Sequence, residues 1–124
     1  MSNTDQFNLL AEYNQLMSQR LYAASARLST HELSEDKGAF FKSVLGTLNH
    51  VMVGDIVWLK RFAEHPSSRD ALAYICGIET PKKLNSVLFT DLESLKLERE
   101  KIDSVILNWV RNLHDSDLKS CITY

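Results

Sequence analysis

The chain has 124 residues, a length that predicts a single domain over residues 1–124. It carries 14 basic and 16 acidic residues, a net charge of −2, which argues against the positive surface that nucleic-acid binding needs. Four glycines and two prolines are too few for the frequent turns of a many-stranded β-sandwich or barrel.

The remaining composition favours a cytoplasmic protein. The N-terminal residues are polar and lack the charged-then-apolar layout of a signal peptide, and no segment approaches the ~18 apolar residues of a membrane span. Cys76 and Cys121 have no metal-binding or redox spacing, so we expect reduced thiols. The sequence therefore predicts a soluble protein with no nucleic-acid or membrane partner.

The first predicted helix covers about residues 5–28. Apolar residues recur at steps of three and four and make one apolar face, formed by Leu10, Tyr13, Met17, Leu21, Ala24 and Leu28. Ser29 and Glu32 then have the spacing of a capping box, which predicts a short helical turn through Leu33.

The second predicted helix covers about residues 41–64, with Ser43 as the expected N-cap and His65-Pro66 as the stop. It is apolar on almost every side, which is typical of a buried helix. Such a helix needs neighbours all round it, and two other long helices leave part of it uncovered.

The third predicted helix covers about residues 84–113. Its heptad positions run from Leu88 to Leu113 and contain one polar residue, Arg99. We expect Arg99 and Asp103 to form an i,i+4 pair on the exposed flank of this helix. Residues 118–124 have no helical period, and Cys121-Ile-Thr-Tyr124 is expected to be extended.

His50 is the candidate site residue, midway along the apolar second helix. Gly46 and Gly54 lie one turn before and after it, and two interior glycines suggest that something approaches closely there. The pattern leaves three interpretations open: a hydrogen-bonded core histidine, a metal ligand, or part of a small-molecule site. Asp55 lies on another face of the same helix, and Arg99 is the candidate partner for its charge.

Several segments together resemble the DinB family. Leu9-Leu-Ala-Glu-Tyr-Asn14 with Arg20-Leu-Tyr22 is similar to the family's first helix, and Leu45-Gly-Thr-Leu-Asn-His-Val51 with Gly54-Asp55 resembles its second helix. The similarity continues from Leu88 to Leu113 and covers almost the whole chain. The resemblance implies an all-α four-helix bundle, commonly a homodimer.

The same resemblance implies a function. A divalent metal, usually nickel or zinc, is held by three histidines, of which the first maps onto His50 and the other two form an H-x-x-x-H pair on the fourth helix. The wider superfamily includes metal-dependent S-transferases and isomerases that use low-molecular-weight thiols. A metal-dependent transferase or hydrolase is therefore one expectation for this chain.

This sequence departs from the family pattern because it contains no H-x-x-x-H pair. We expect three long helices here, with the fourth helix missing and the metal site incomplete, since one imidazole cannot hold a catalytic metal. No catalytic residue is assigned. The alternative hypothesis is a non-catalytic homodimeric bundle with a structural or small-molecule-binding role.

Overall fold

The structure is a computed structural model that describes residues 3–38 and 41–118. It contains three long helices and three short ones: α1 (Asn3–Ser25), α2 (Thr30–Ser34), α3 (Val44–Phe62), α4 (Ala73–Cys76), α5 (Leu92–Arg111) and α6 (Asp115–Leu118). No β-strand occurs within those two ranges. The all-α fold with three long helices is confirmed.

The three long helices meet through α5. Helix α1 runs antiparallel to α5, because its early residue Ala11 packs near Leu107 and its later residue Tyr22 lies near Arg99. Helix α3 runs parallel to α5, because Asp55 contacts Arg99 and Phe62 stacks further along on Trp109. Helices α1 and α3 are therefore antiparallel to each other, and Tyr22 of α1 shares a core cluster with α3 residues such as Met52 and Ile56.

The core lies between α3, α5 and the segment around α4. Its completely buried side chains come from all three parts: Met52, Ile56, Leu72, Ile75, Leu95 and Ile102. Helix α3 also contacts α2 and α4, as a helix apolar on almost every side should. One side of it stays uncovered, where Val51 and Trp58 are about half exposed.

Two predicted caps are confirmed. Ser43 begins α3 by accepting a hydrogen bond from the Gly46 amide, and Ser29 exchanges the two hydrogen bonds of a capping box with Glu32. Each cap satisfies amides that the first turn of a helix leaves without an intrahelical acceptor.

The predicted start of the third long helix near Leu84 is wrong. Helix α5 begins at Leu92, where the Asp91 side chain accepts a hydrogen bond from the Ser94 amide at 2.8 Å. The apolar residues before it form a separate segment, residues 84–89, that lies against α3. Helix α1 likewise ends earlier than expected, at Ser25. Leu118, where no helical period was expected, is the last residue of α6, and the predicted extended segment, residues 121–124, lies outside the described residues.

The apolar face of α1 does not face α5. Leu10, Tyr13 and Leu21 are each more than half exposed, whereas Ala11 and Tyr22 are buried. Helix α1 therefore packs through a more polar side and presents its apolar residues outward. Among the described residues, no helix is both long enough and apolar enough to cross a membrane.

Candidate functional site

The His50 side chain is held in one orientation by a hydrogen bond. Its Nδ1 atom lies 3.1 Å from the main-chain oxygen of Leu84. Because a carbonyl oxygen can only accept, this contact requires the proton on Nδ1. In the neutral ring, the lone pair is then on Nε2.

A stacking contact with Phe41 covers one face of the same ring. The rings of Phe41 and His50 are nearly parallel, at 15°, with centroids 3.7 Å apart. Gly46 makes this arrangement possible, since a Cβ atom there would overlap the Phe41 carbonyl oxygen. The segment that approaches Gly46 closely is thus the loop before α3, which contains Phe41. At Gly54 a Cβ atom would meet no atom of the described chain within 4 Å, so no described segment makes a close approach there.

Asn49, the neighbour of His50 in sequence, holds the segment that orients the histidine. Its buried amide oxygen accepts from the backbone amides of Leu88 and Phe89, at 2.8 and 3.1 Å, and its Nδ2 donates to the oxygens of Leu45 and Phe89. These bonds anchor residues 84–89 against α3 and so position the Leu84 carbonyl. Sequence analysis missed Asn49, although an amide in a helix apolar on almost every side was a usable signal.

A cleft opens beside this arrangement. Phe41 and Leu84, which contact His50, also line a space of about 890 Å³ with Leu45, Val87 and Phe89, whereas His50 itself is not among its lining residues. Its size is within the range of small-molecule sites, and its walls are largely apolar.

The described residues do not complete a metal site around His50. They contain no group of three or more histidine, cysteine, aspartate or glutamate side chains placed to share an ion. His31 and His114 are exposed, and His65 contacts Ser67 instead. Cys76 is an exposed free thiol, and Cys121 lies outside the described ranges. The donor set present is one imidazole, where a metal centre needs about three protein ligands.

Comparison with known proteins decides the family. The DinB family model matches residues 1–123, nearly the whole chain. The chain belongs to the DinB family. No match was found among curated proteins or among solved structures. Membership agrees with the helical fold and with the resemblance carried by the segment around His50.

A second polar cluster of this DinB-family chain joins its three long helices. Arg99 of α5 is 4% exposed and lies between two carboxylates. Its Nη1 is 2.7 Å from Asp55 Oδ2 on α3, and its Nε donates to Asp103 Oδ1 at 2.9 Å. Asn14 of α1 donates to the same Asp103 oxygen at 3.1 Å.

This cluster confirms one prediction and corrects another. Asp55 does pair with Arg99, as a lone carboxylate on an apolar helix required. The Arg99–Asp103 pair is not on an exposed flank, because Asp103 is 3% exposed. Burial raises the pKa of Asp103 and outweighs the opposite effect of Arg99. Burial alone would lower the pKa of Arg99, but its two carboxylate partners raise it instead.

The same cluster borders a cavity between α1 and α5. The space is about 500 Å³ and is lined by polar side chains of both helices, including Gln15, Tyr22, Lys96, Arg99 and Asp103. Burial raises the pKa of the Tyr22 phenol further above neutral pH, at which a tyrosine hydroxyl is already protonated at its ordinary pKa. This cavity shares no lining residue with the cleft formed by Phe41 and Leu84, so the two spaces are separate.

Proposed function

We propose that this DinB-family chain binds one divalent metal ion, nickel or zinc, through Nε2 of His50. The observation that carries the proposal is the contact of Nδ1 with the Leu84 carbonyl at 3.1 Å. Histidines that bind metals typically donate their other ring N–H to a carbonyl or carboxylate, which fixes the tautomer and the ring plane. Stacking on Phe41 supports the same fixed orientation.

The rest of the coordination sphere must come from outside residues 3–38 and 41–118. Within those ranges His50 has no second and third ligand beside it. Two sources can supply them: another chain, or protein segments other than those described. In either case residues 3–38 and 41–118 contribute one oriented imidazole and the helices and loops that hold it.

The activity that fits this proposal is metal-dependent group transfer from a low-molecular-weight thiol, or hydrolysis. A bound metal would supply a thiolate or hydroxide at neutral pH by lowering the pKa of the coordinated group. The cleft lined by Phe41 and Leu84 offers a largely apolar space for an organic substrate, and these two residues also contact the histidine.

Metal content per chain tests the proposal. The purified, untagged protein is offered zinc and nickel, dialysed exhaustively, and measured by elemental mass spectrometry. We expect a stoichiometry near one that is lost in His50→Ala and kept in His31→Ala, a matched removal of an exposed histidine. Circular dichroism checks that both variants are folded. Absence of metal from the wild type, or equal metal in both variants, would contradict the proposal.

The alternative is a non-catalytic bundle that binds a small molecule, and the polar cavity between α1 and α5 favours it. Its volume of about 500 Å³ suits a small polar ligand, and it does not involve His50. Two results together would favour this function. The chain would bind no metal, and a polar compound would raise its thermal unfolding midpoint. That rise would be lost when Gln15 and Lys96 are replaced.

A further inference from the structure

The α5 wall of the cavity between α1 and α5 carries its charges in a fixed order. Lys96 and Arg99 come first along the helix, and Glu100 and Asp103 follow about one turn later. At 1.5 Å per residue, the middle of the cationic pair is ~6 Å from the middle of the anionic pair. The wall therefore has a positive end and a negative end, and its formal charges cancel.

Two of these charges have no partner in the described chain. Lys96 and Glu100 are exposed and have the spacing of a helical ion pair. Within residues 3–38 and 41–118, however, neither of them forms an ion pair with each other or with another side chain. Both are available to the charges of a ligand.

Arg99 borders the cavity with unused hydrogen-bonding capacity. Its Nη2 atom is buried and makes no hydrogen bond with any residue that the structure describes. Nη2 lies 2.8 Å from Asp103 Oδ1, but that oxygen already accepts from Nε of the same guanidinium. A buried N–H without an acceptor destabilises the fold. A ligand oxygen beside Arg99 would satisfy it after a small shift of the guanidinium.

We propose that this cavity binds a free amino acid with a neutral polar side chain. The carboxylate of the amino acid lies between Lys96 and Arg99, and its ammonium group lies beside Glu100 and Asp103. A simple anion would meet the two carboxylates of the wall, and a simple cation would meet the two basic side chains. A zwitterion presents each end of the wall with a charge of opposite sign.

The opposite wall fits the polar side chain of such a ligand. Gln15 and Gln19 of α1 line the cavity one turn apart. A primary amide both donates and accepts hydrogen bonds, so it pairs with an amide or a hydroxyl group. The inference rests on the small-molecule function given above as the alternative, for which it names the class of ligand, and it does not depend on metal binding at His50.

Analogues that each lack one charge test the class of ligand. L-glutamine is compared with glutaramate, which has no ammonium group, with γ-aminobutyramide, which has no carboxylate, and with the uncharged glutaramide. L-asparagine and L-serine are offered in the same way. Heteronuclear NMR titration of the whole chain measures weak binding and identifies the backbone amides affected. We expect L-glutamine to shift amides in the lining segments, residues 15–26 and 96–104, and each analogue to bind at least about tenfold more weakly.

Two substitutions test the two ends of the wall separately. Lys96→Gln should weaken L-glutamine about tenfold without weakening γ-aminobutyramide, which has no carboxylate to lose a partner. Glu100→Gln should weaken L-glutamine by a similar factor without weakening glutaramate. Lys101→Gln, at an exposed position outside the lining of the cavity, is the matched control and should leave every dissociation constant unchanged. Circular dichroism checks that the three variants are folded.

The outcomes separate the class of ligand from the small-molecule function itself. Glutaramide that binds as tightly as L-glutamine would refute the zwitterion and leave the function standing. The same holds if a second panel of neutral sugars and polyols shifts the lining amides and no amino acid does. No response to either panel would overturn both. Unchanged L-glutamine binding in Lys96→Gln and Glu100→Gln would refute the placement of the ligand on this wall.

Discussion

Replacing Arg99 with methionine tests how the three long helices are joined. Arg99 is 4% exposed and contacts Asp55 at 2.7 Å and Asp103 at 2.8 Å. Methionine keeps much of the side-chain length and removes the charge. The variant therefore leaves Asp103, which is 3% exposed, as a buried carboxylate without its cation.

The size of the effect follows from which carboxylate loses its partner. Breaking a buried ion pair by removing one member typically costs about 3–5 kcal/mol of unfolding free energy. Asp103 meets that condition, whereas the Asp55 side chain is 35% exposed and keeps contact with water. We therefore expect Arg99→Met to lose about 3–5 kcal/mol, and Asp55→Asn to lose only about 1 kcal/mol.

A second substitution separates the orphaned charge from lost packing. Arg99→Met combined with Asp103→Leu removes the buried carboxylate as well, so most of the lost stability should return. The pH dependence has a defined sign. Burial already raises the pKa of Asp103 in the folded chain, and loss of Arg99 removes the main opposing effect. A folded-state pKa above the unfolded one destabilises the protein above the folded pKa. The deficit of Arg99→Met should therefore shrink as the pH falls through that folded pKa.

Urea unfolding followed by far-ultraviolet circular dichroism measures these differences. All variants are compared at one protein concentration, because dimer formation would shift the apparent stability. The reasoning fails if Arg99→Met loses less than about 1 kcal/mol at neutral pH. It also fails if adding Asp103→Leu deepens the loss.

Three further predictions concern packing and backbone contacts. Gly46→Ala should destabilise the chain strongly, because the new methyl group would overlap a backbone carbonyl, whereas Gly54→Ala should stabilise it by about 0.5–1 kcal/mol. Thermal unfolding of the two variants checks this. Asn49→Leu leaves two backbone amides without an acceptor and should lose about 2–6 kcal/mol in urea unfolding. Ile102→Ala, at a completely buried site, should lose about 2–5 kcal/mol, and Leu97→Ala, at an exposed one, should change little.

The parts of the site that sequence could predict are those where one residue contradicts its surroundings. Asp55 is a carboxylate on an apolar helix, and Arg99 is the polar member of an apolar heptad, so each needed a partner of opposite charge. His50 beside Gly46 was visible for a similar reason, since a glycine inside a helix destabilises it unless something packs closely. In each case a polar residue or a glycine at an otherwise apolar helix position indicated a close contact.

The parts that sequence could not predict depend on long-range hydrogen bonds. Leu84 and Leu88 continue the apolar spacing of α5, yet they lie in a non-helical segment because Asn49 binds its backbone across 39–40 residues of chain. The spacing of apolar residues in the sequence carries no information about a side chain such as Asn49 that binds a distant segment of backbone. The same holds for α1, whose polar side packs on α5 because Asn14 hydrogen-bonds to the buried Asp103.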